Sequence, residues 1–429
     1  FPDFVHIGAY KGAADALTRT QPTPEMRETL TAVVDQAYRT MQEAIAAARH
    51  LPPETIAKRI DDASYTADGA LTAGLVDSVA TYEEFRAQQT SGLPWKHVKL
   101  KDSPSGGFDA QKLQAFLGLA PPKRPSEPHI ALVYALGPIV DGRGGGILGA
   151  RQQIAGRTLA AAIDNLAADP AVAAIVLRVD SPGGSAMASE QIWRALQRAR
   201  EGGKPVVVSM GGVAASGGYY ISCGATKIFA LANTLTGSIG VIGGKLAFGG
   251  ALERLGVQAF PIAPGKRAAM WSAFAPWTAD ERQSVLHMME EIYRVFVSRV
   301  AAGRDKTTEE VHAVAQGRVW TGAAALERGL VDELGGLYAA LAEARKLTGI
   351  GPEVALEVYP PEPTLKDILE GMSEGPTLLR AALDGGQLAE LAGALGLAGA
   401  DVVLRALAQL ETFAAEPVQT ALLWPVVVR

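Results

Sequence analysis

The sequence predicts an α/β fold with a largely parallel sheet, built from a unit that occurs twice, the first copy incomplete. Three observations carry this. Apolar strand-length runs alternate with helical patterns over residues 128–350, several of those runs end in turns of small residues, and a shift of 255 residues lays the start of the chain over a later part without a gap.

Composition bounds the possibilities first. A chain of 429 residues with 48% hydrophobic and 20% charged residues has ample material for a buried core, which excludes a disordered or fibrous protein. The net charge of −5, without a basic run, argues against nucleic acid as a partner, because phosphate binding needs clustered Lys and Arg. A lone cysteine, Cys223, excludes an intrachain disulfide and a Cys-based zinc cluster. The 47 glycines imply many tight turns and close backbone approaches.

The shift sets Thr23 on Thr278, Arg27 on Arg282, Tyr38-Arg39 on Tyr293-Arg294 and Arg49 on Arg304, and Gly74-Leu75-Val76-Asp77 on Gly329-Leu330-Val331-Asp332. Each copy holds a long amphipathic helix. In the first, Thr23-Pro24 is a start signal, and Leu30, Val33, Val34, Ala37, Tyr38, Met41 and Ile45 form a stripe expected to pack in a core. Val285, Met288, Met289, Ile292, Tyr293, Phe296 and Val300 repeat it. The second copy opens near His129, where HIALVYAL reads as a buried strand, so the first copy would open roughly 126 residues before Phe1. The sheet that should position the first copy's residues is therefore expected to lie partly outside the chain.

Four regions follow: 1–95, the C-terminal part of a first repeat; 96–127, a linker, with PPKRPSEP (121–128) marking the approach to the next region; 128–350, the second repeat; and 351–429, an Ala/Leu-rich helical extension hinged at Pro360, Pro361 and Pro363. No basic-then-apolar targeting segment follows Phe1. The apolar stretch Leu378 to Leu410 is broken by Asp384, Glu390, Asp401 and Arg405, too often for a membrane span of ~20 residues. The expectation is a soluble chain, or one whose anchor lies outside it.

In the second repeat, the strand Ala171 to Val179 runs into Asp180-Ser181-Pro182-Gly183-Gly184-Ser185 and a helix through Arg198. Pro205 to Ser209 runs into Gly211-Gly212-Val213-Ala214-Ala215-Ser216-Gly217-Gly218, and Phe229 to Ala232 leads to Thr236-Gly237-Ser238-Ile239-Gly240. Such turns gather at the C-terminal edge of a parallel sheet, where α/β sites form. None matches a phosphate-binding glycine fingerprint. Exposed backbone N–H groups can instead hold an oxyanion during acyl transfer, and Ser216, at a helix start among small neighbours, suits a nucleophile. A tight-turn serine with glycines for packing accounts for the same pattern. Its flanks are not the G-x-S-x-G elbow.

A serine nucleophile needs a base. The histidines, His6, His50, His97, His129, His287 and His312, lie outside the three turns, with His287 and His312 reading as helix-surface residues. A lysine made neutral by burial is the other choice, and Lys11 sits among apolar and small residues with no nearby carboxylate before Asp15. A surface lysine would read the same way.

The runs DSPGGS (180–185), GGVAASGGYY (211–220), LTGSIGV (235–241), GAYKGA (8–13) and GRVWTGAAALERGLVDELGG (317–336) resemble the signal peptide peptidase A (protease IV) family in its long, tandem-domain form, truncated at the N-terminus. The resemblance covers nearly the whole chain and is loose only in the Ala/Leu-rich tail. It implies a crotonase/Clp-protease-like superhelix of ββα units, tandem duplicated, and a membrane-associated serine endopeptidase with a Ser/Lys dyad that degrades cleaved signal peptides and other apolar peptides. Carried over by motif, Ser216 would be the nucleophile, Lys11 the general base and Ser238 the group that orients the lysine. The N–H groups of Gly183 or Gly184, with that of Gly217, would form the oxyanion hole. Lys266 lies opposite Lys11 at the same shift and is a rival base, in a context, Ala-Pro-Gly-Lys-Arg, that lacks the Gly-x-Tyr-Lys spacing.

The resemblance also implies no metal or organic cofactor, a homo-oligomer (a tetramer), and a place at the bacterial inner membrane with the catalytic domains on the periplasmic side. Residues 268–277 and 378–410 would then face the oligomer's interior or the bilayer. Two other classes remain: a crotonase-type acyl-CoA enzyme, which needs no serine nucleophile, and a non-catalytic membrane scaffold.

Overall fold

The computed structural model describes residues 2–19, 21–62, 65–80, 84–85, 88–89, 125–143, 153–254, 267, 269–361 and 418–421. In chain order they form β1 (Pro2–Ile7), α1 (Asp15–Thr18), α2 (Pro24–Arg49), α3 (Pro53–Asp61), α4 (Ala67–Thr72), β2 (His129–Leu136), β3 (Ile139–Val140), β4 (Ile154–Ala155), α5 (Gly156–Ala168) and β5 (Val172–Ser181). There follow β6 (Gly183–Ser185), α6 (Ala186–Glu201), β7 (Val206–Ala215), α7 (Gly217–Ser222), β8 (Lys227–Ala230), β9 (Leu235–Gly237), β10 (Val241–Leu246) and α8 (Gly249–Arg254). The last elements are α9 (Ala279–Arg304), α10 (Thr308–Val314), β11 (Val319–Thr321), α11 (Gly322–Glu327), β12 (Glu333–Leu334), α12 (Leu337–Thr348), β13 (Glu357–Tyr359) and β14 (Val418–Ala421).

The chain is mixed α/β with parallel sheets. It divides into two compact units, Phe1–Val33 with Ala115–Arg429, and Val34–Gln114. This division does not follow the expected repeat boundary, because β1 joins the larger unit.

In the larger unit, one sheet runs β11-β9-β7-β5-β2-β13, with β8 also beside β7 and β12 beside β8. Every pair in it is parallel except β9 with β11. Its central strands are apolar on both faces, as a sheet covered on both sides requires. Ile175, Leu177 and Val179 point into one core with Ile192 of α6 and Phe296 of α9, while Ala174 and Val176 point into another with Ala340, Leu341 and Ala344 of α12. The second sheet runs β1-β10-β14-β6-β3-β4.

One expectation changes here. The sheet that positions the start of the chain lies within it, because β1 pairs antiparallel with β10 from Pro2↔Leu246 to Ile7↔Val241. The hydrogen-bonding edge for β1 thus comes from β10, within residues 128–350. Of the stretch 351–429, expected to be helical, residues 362–417 and 422–429 lie outside the described residues, and the described ones contribute two short strands. β13 closes the open edge of β2 in parallel register, and β14 fills the gap between β10 and β6, both antiparallel to it. Leu378 to Leu410 and most of the 96–127 linker lie outside the described residues. No helix among the described residues is long and apolar enough to cross a membrane.

The two long helices differ in environment. On α9, Val285, Met289, Tyr293, Phe296 and Val300 are buried as the stripe predicts, and a Thr278/Glu281 capping box opens the helix. The α2 stripe is not a core stripe: Val34 is 63% exposed and Met41 44%. The smaller unit offers only helices among its described residues, so that face has no sheet to rest on.

Local geometry nevertheless coincides at the 255-residue offset. Arg49 donates to Gly74 O (2.9 Å) and pairs with Asp77, and Arg304 donates to Gly329 O (3.0 Å) and pairs with Asp332. Thr66 caps α4 and Thr321 caps α11. Burial separates the two arginines: Asp77 is almost fully exposed, whereas Arg304 is buried and Asp332 also accepts from Ile228 N (2.7 Å). Arg304→Met is therefore expected to cost about 2–3 kcal/mol in chemical denaturation. Arg49→Met should leave the denaturation midpoint almost unmoved, because solvent screens that pair.

Candidate active site

The nucleophile candidate sits where β7 turns sharply into α7. Ser216 has φ +55° and ψ −115°, a conformation rare for any residue but glycine, so the site has the strained strand-to-helix turn of a nucleophile elbow without its sequence signature. Two backbone bonds hold the turn, Ser216 N–H to Gly237 O (2.8 Å) and Tyr220 N–H to Ser216 O (2.8 Å).

The strand reaches this point through an irregularity. Val179 pairs with Met210, yet Ser181 pairs with Ala214, so extra residues bulge from β7 at Gly211 to Val213. The Asp180 carboxylate fills the bulge, accepting the N–H groups of Val213 (3.1 Å) and Gly212 (3.4 Å). This brings the Ser-Pro-Gly-Gly turn against α7: a Cβ on Gly217 would lie 3.1 Å from Gly183 Cα. Gly183 and Gly184 have φ of +100° and +147°, which only glycine adopts readily.

Lys11 arrives from the other sheet. β1 ends at Ile7, the chain turns at Gly8, and Lys11 N–H donates to Gly8 O (3.1 Å). The side chain is 2% exposed. Its Nζ lies 2.9 Å from Ser216 Oγ, 3.0 Å from Ser238 Oγ and 3.0 Å from Ser238 O. Burial alone pushes its pKa from the ordinary 10.5 down to about 7. Ser238, like Ser216, has a positive φ (+51°) and is buried.

The structure thus brings together Ser216, Lys11, Ser238, Gly183 and Gly217. Gly217 supplies the first N–H of α7, which has no acceptor within the helix. Gly183 N–H donates to Ser181 Oγ (3.1 Å), a partner that the sequence reading missed although Ser181 stands in the same motif. The Asp180 clasp was also missed. No histidine hydrogen-bonds Ser216 among the described residues; His6 lies against Gly8 O, His129 against Glu357, and the exposed His312 against Tyr293. Lys266 lies outside the described residues; the neighbouring Arg267 is exposed and pairs with Asp280. No cluster of three or more His, Cys, Asp or Glu side chains suited to a metal occurs among the described residues.

The buried amine has a cost with a definite pH dependence. Below pH 7 Lys11 is charged in both the folded and unfolded states, and the folded state bears the full desolvation cost. Between about pH 7 and 10.5 only the unfolded state holds the proton, so the cost shrinks as pH rises. Lys11→Met should therefore gain stability over the parent by up to about 5 kcal/mol below pH 7. That gain should fall away towards pH 10, as read by denaturant unfolding across pH.

Peptidase family S49 matches residues 2–93 and 198–351, two stretches that include Lys11, Ser216 and Ser238. The chain is 34% identical over 375 residues to Protease 4 of Salmonella typhi, covering 85% of this chain and 58% of that one. It is 31% identical over 379 residues to the chloroplastic serine protease SPPA of Arabidopsis thaliana, with 86% and 54% covered. It is 37% identical over 230 residues to Protease 4 of Haemophilus influenzae, with 54% and 36% covered. The chain spans a little over half the length of the first two relatives. On the family match and these identities, the chain belongs to peptidase family S49.

Proposed function

We propose that the chain is the catalytic part of a serine endopeptidase in which Ser216 is the nucleophile and Lys11 the general base. The observation that carries this is the 2.9 Å contact between Lys11 Nζ and Ser216 Oγ in a buried setting that holds the amine near neutrality. As an ammonium, Nζ donates to all three oxygens around it. Once deprotonated, it keeps two N–H groups for Ser238 Oγ and O and presents its lone pair to the Ser216 hydroxyl.

The steps follow from that geometry. Ser216 Oγ passes its proton to Lys11 Nζ and bonds to the substrate carbonyl carbon, whose π pair moves onto oxygen. The N–H groups of Gly217 and of Gly183 or Gly184 receive this oxyanion, which displaces the neutral Ser181 Oγ from Gly183 because a charged acceptor binds more strongly. The lysinium gives its proton to the leaving amine as the C–N bond breaks. Water, deprotonated by the same amine, then hydrolyses the acyl-enzyme.

An extended peptide suits this site better than an acyl-CoA. β14 lies between β10 and β6 with Thr420 opposite Gly184 and Ala421 opposite Gly183, so both flanking strands accept extended backbone beside the oxyanion donors. A substrate taking that place is read through its main chain, as in strand-addition recognition. A scaffold without chemistry has no use for a buried amine on a strained serine.

We infer further that the fold is a tandem duplication on the crotonase/Clp-protease plan, supported by the coincident arginine and threonine contacts at the 255-residue offset. The inferred substrates are cleaved signal peptides and similar apolar peptides. The inferred setting is a homo-oligomer, a tetramer, at the periplasmic face of a bacterial inner membrane. The exposed aromatics Phe248, Trp271 and Phe274 support an apolar partner surface.

Cleavage of a fluorogenic apolar peptide tests the dyad. Ser216→Ala and Lys11→Ala should each lower kcat/KM at least about 10³-fold, with Lys266→Ala keeping most activity. A fluorophosphonate should label Ser216 in the parent. In the parent, kcat/KM should rise with pH through about 7, as Lys11 loses its proton. An active Lys11→Ala protein together with an inactive Lys266→Ala protein would move the base role to the second repeat.

A further inference from the structure

The loop between α10 and β11 belongs to the GRVWTG run, to which the reading above gives no task. It touches both the turn that carries Lys11 and the segment that carries Ser238. Gln316 O accepts the N–H of Tyr10, next to Lys11 (3.0 Å); Arg318 O accepts the N–H of Ser238 (2.7 Å); and Gly317 N–H donates to Ile239 O (2.7 Å). Gly317 packs so closely that a Cβ there would lie 2.5 Å from Lys11 Cβ, which only glycine permits.

The Arg318 side chain ties the same two sides together. Its guanidinium lies 4.7 Å from the centre of the Tyr10 ring and 4.4 Å from that of Trp320, and it pairs with Glu28. Tyr10 OH donates to the same carboxylate (2.8 Å). Tyr10, Glu28 and Arg318 thus form one closed cluster outside the reacting atoms, with Arg318 joined through its backbone to Ser238.

We propose that Arg318 is a positioning residue for the general base: its carbonyl fixes Ser238, and its guanidinium, held between Tyr10 and Trp320 and paired with Glu28, fixes the turn that carries Lys11. This rests on the Ser/Lys reading. Arg318 touches neither Ser216 nor the lysine amine. It acts through the distance between Lys11 and Ser238, which a planar, always-charged guanidinium defines better than a flexible ammonium.

The test uses the full chain and a fluorogenic apolar peptide. Arg318→Ala should lower kcat about 10- to 100-fold with KM within about twofold, and slow fluorophosphonate labelling of Ser216 by a similar factor. Loosening the turn admits water to Lys11, so the midpoint of the kcat/KM–pH profile should move upward by about one unit. Arg318→Lys should recover only part of the loss, and added guanidinium ion should recover more in Arg318→Ala.

Glu28→Gln, at an exposed position, should move the midpoint in the same direction by less, and it serves if Arg318→Ala does not fold. An unmoved pH midpoint in the folded variants, or a kcat loss equal to the unfolded fraction in a melting curve, would overturn the assignment. Lys11→Ala run in parallel separates the two readings. If that variant is dead while Arg318→Ala is fully active, only the positioning role fails; if it is active, the dyad itself fails.

Discussion

A lysine amine enclosed without a counter-charge is the constraint around which the larger unit is organised. Water would hold the proton on Lys11 far above neutrality, and a nearby carboxylate would raise its pKa further. The fold supplies neither, offering two hydroxyls and one carbonyl instead. That arrangement satisfies the amine's hydrogen bonds in both protonation states while leaving its charge uncompensated, so protonation stays finely balanced. Such a balance weakens folding below neutrality, a cost retained where chemistry needs a base.

Backbone strain works to the same end. The two residues that touch the amine, Ser216 and Ser238, both have positive φ without being glycine. Neighbouring elements hold them there: Ser216 N–H is bonded to Gly237 O, and Ser238 N–H to Arg318 O. Because three separate segments, those of Lys11, Ser216 and Ser238, converge on one nitrogen, no local sequence preference sets the geometry; tertiary pairing does. The Asp180 clasp has a similar role for the bulge before Ser216, where small residues and one carboxylate replace regular pairing.

Much of this was legible in the sequence, and the reasons differ by element. The strands through His129, Val172 and Val206 announce themselves because both their faces are apolar, and each leads into a turn whose glycines have no role in a helix. The apolar neighbours of Lys11 allowed a buried base but suited a surface lysine equally, so the motif resemblance, not the local pattern, singled it out. The α2 stripe shows the limit of periodicity: spacing says which face is apolar and not whether anything covers it, and Val34 and Met41 stay exposed. The pairing of β1 with β10 and the insertion of β14 could not be read, because the strands come from distant parts of the chain and strand register carries no sequence signature across such gaps. The contacts of Arg318 were hidden for another reason, since one runs through a carbonyl oxygen that every residue possesses and the others join segments far apart in the chain.

The most direct measurement is the titration of the Lys11 amine itself. In protein carrying lysine labelled with carbon-13 at Cε, one resonance should titrate with a midpoint near 7 and vanish in Lys11→Met. A spectrum in which every lysine keeps its proton to pH 10 would show the amine charged at neutral pH, and the account of the site as a lysine-based catalytic centre would fail.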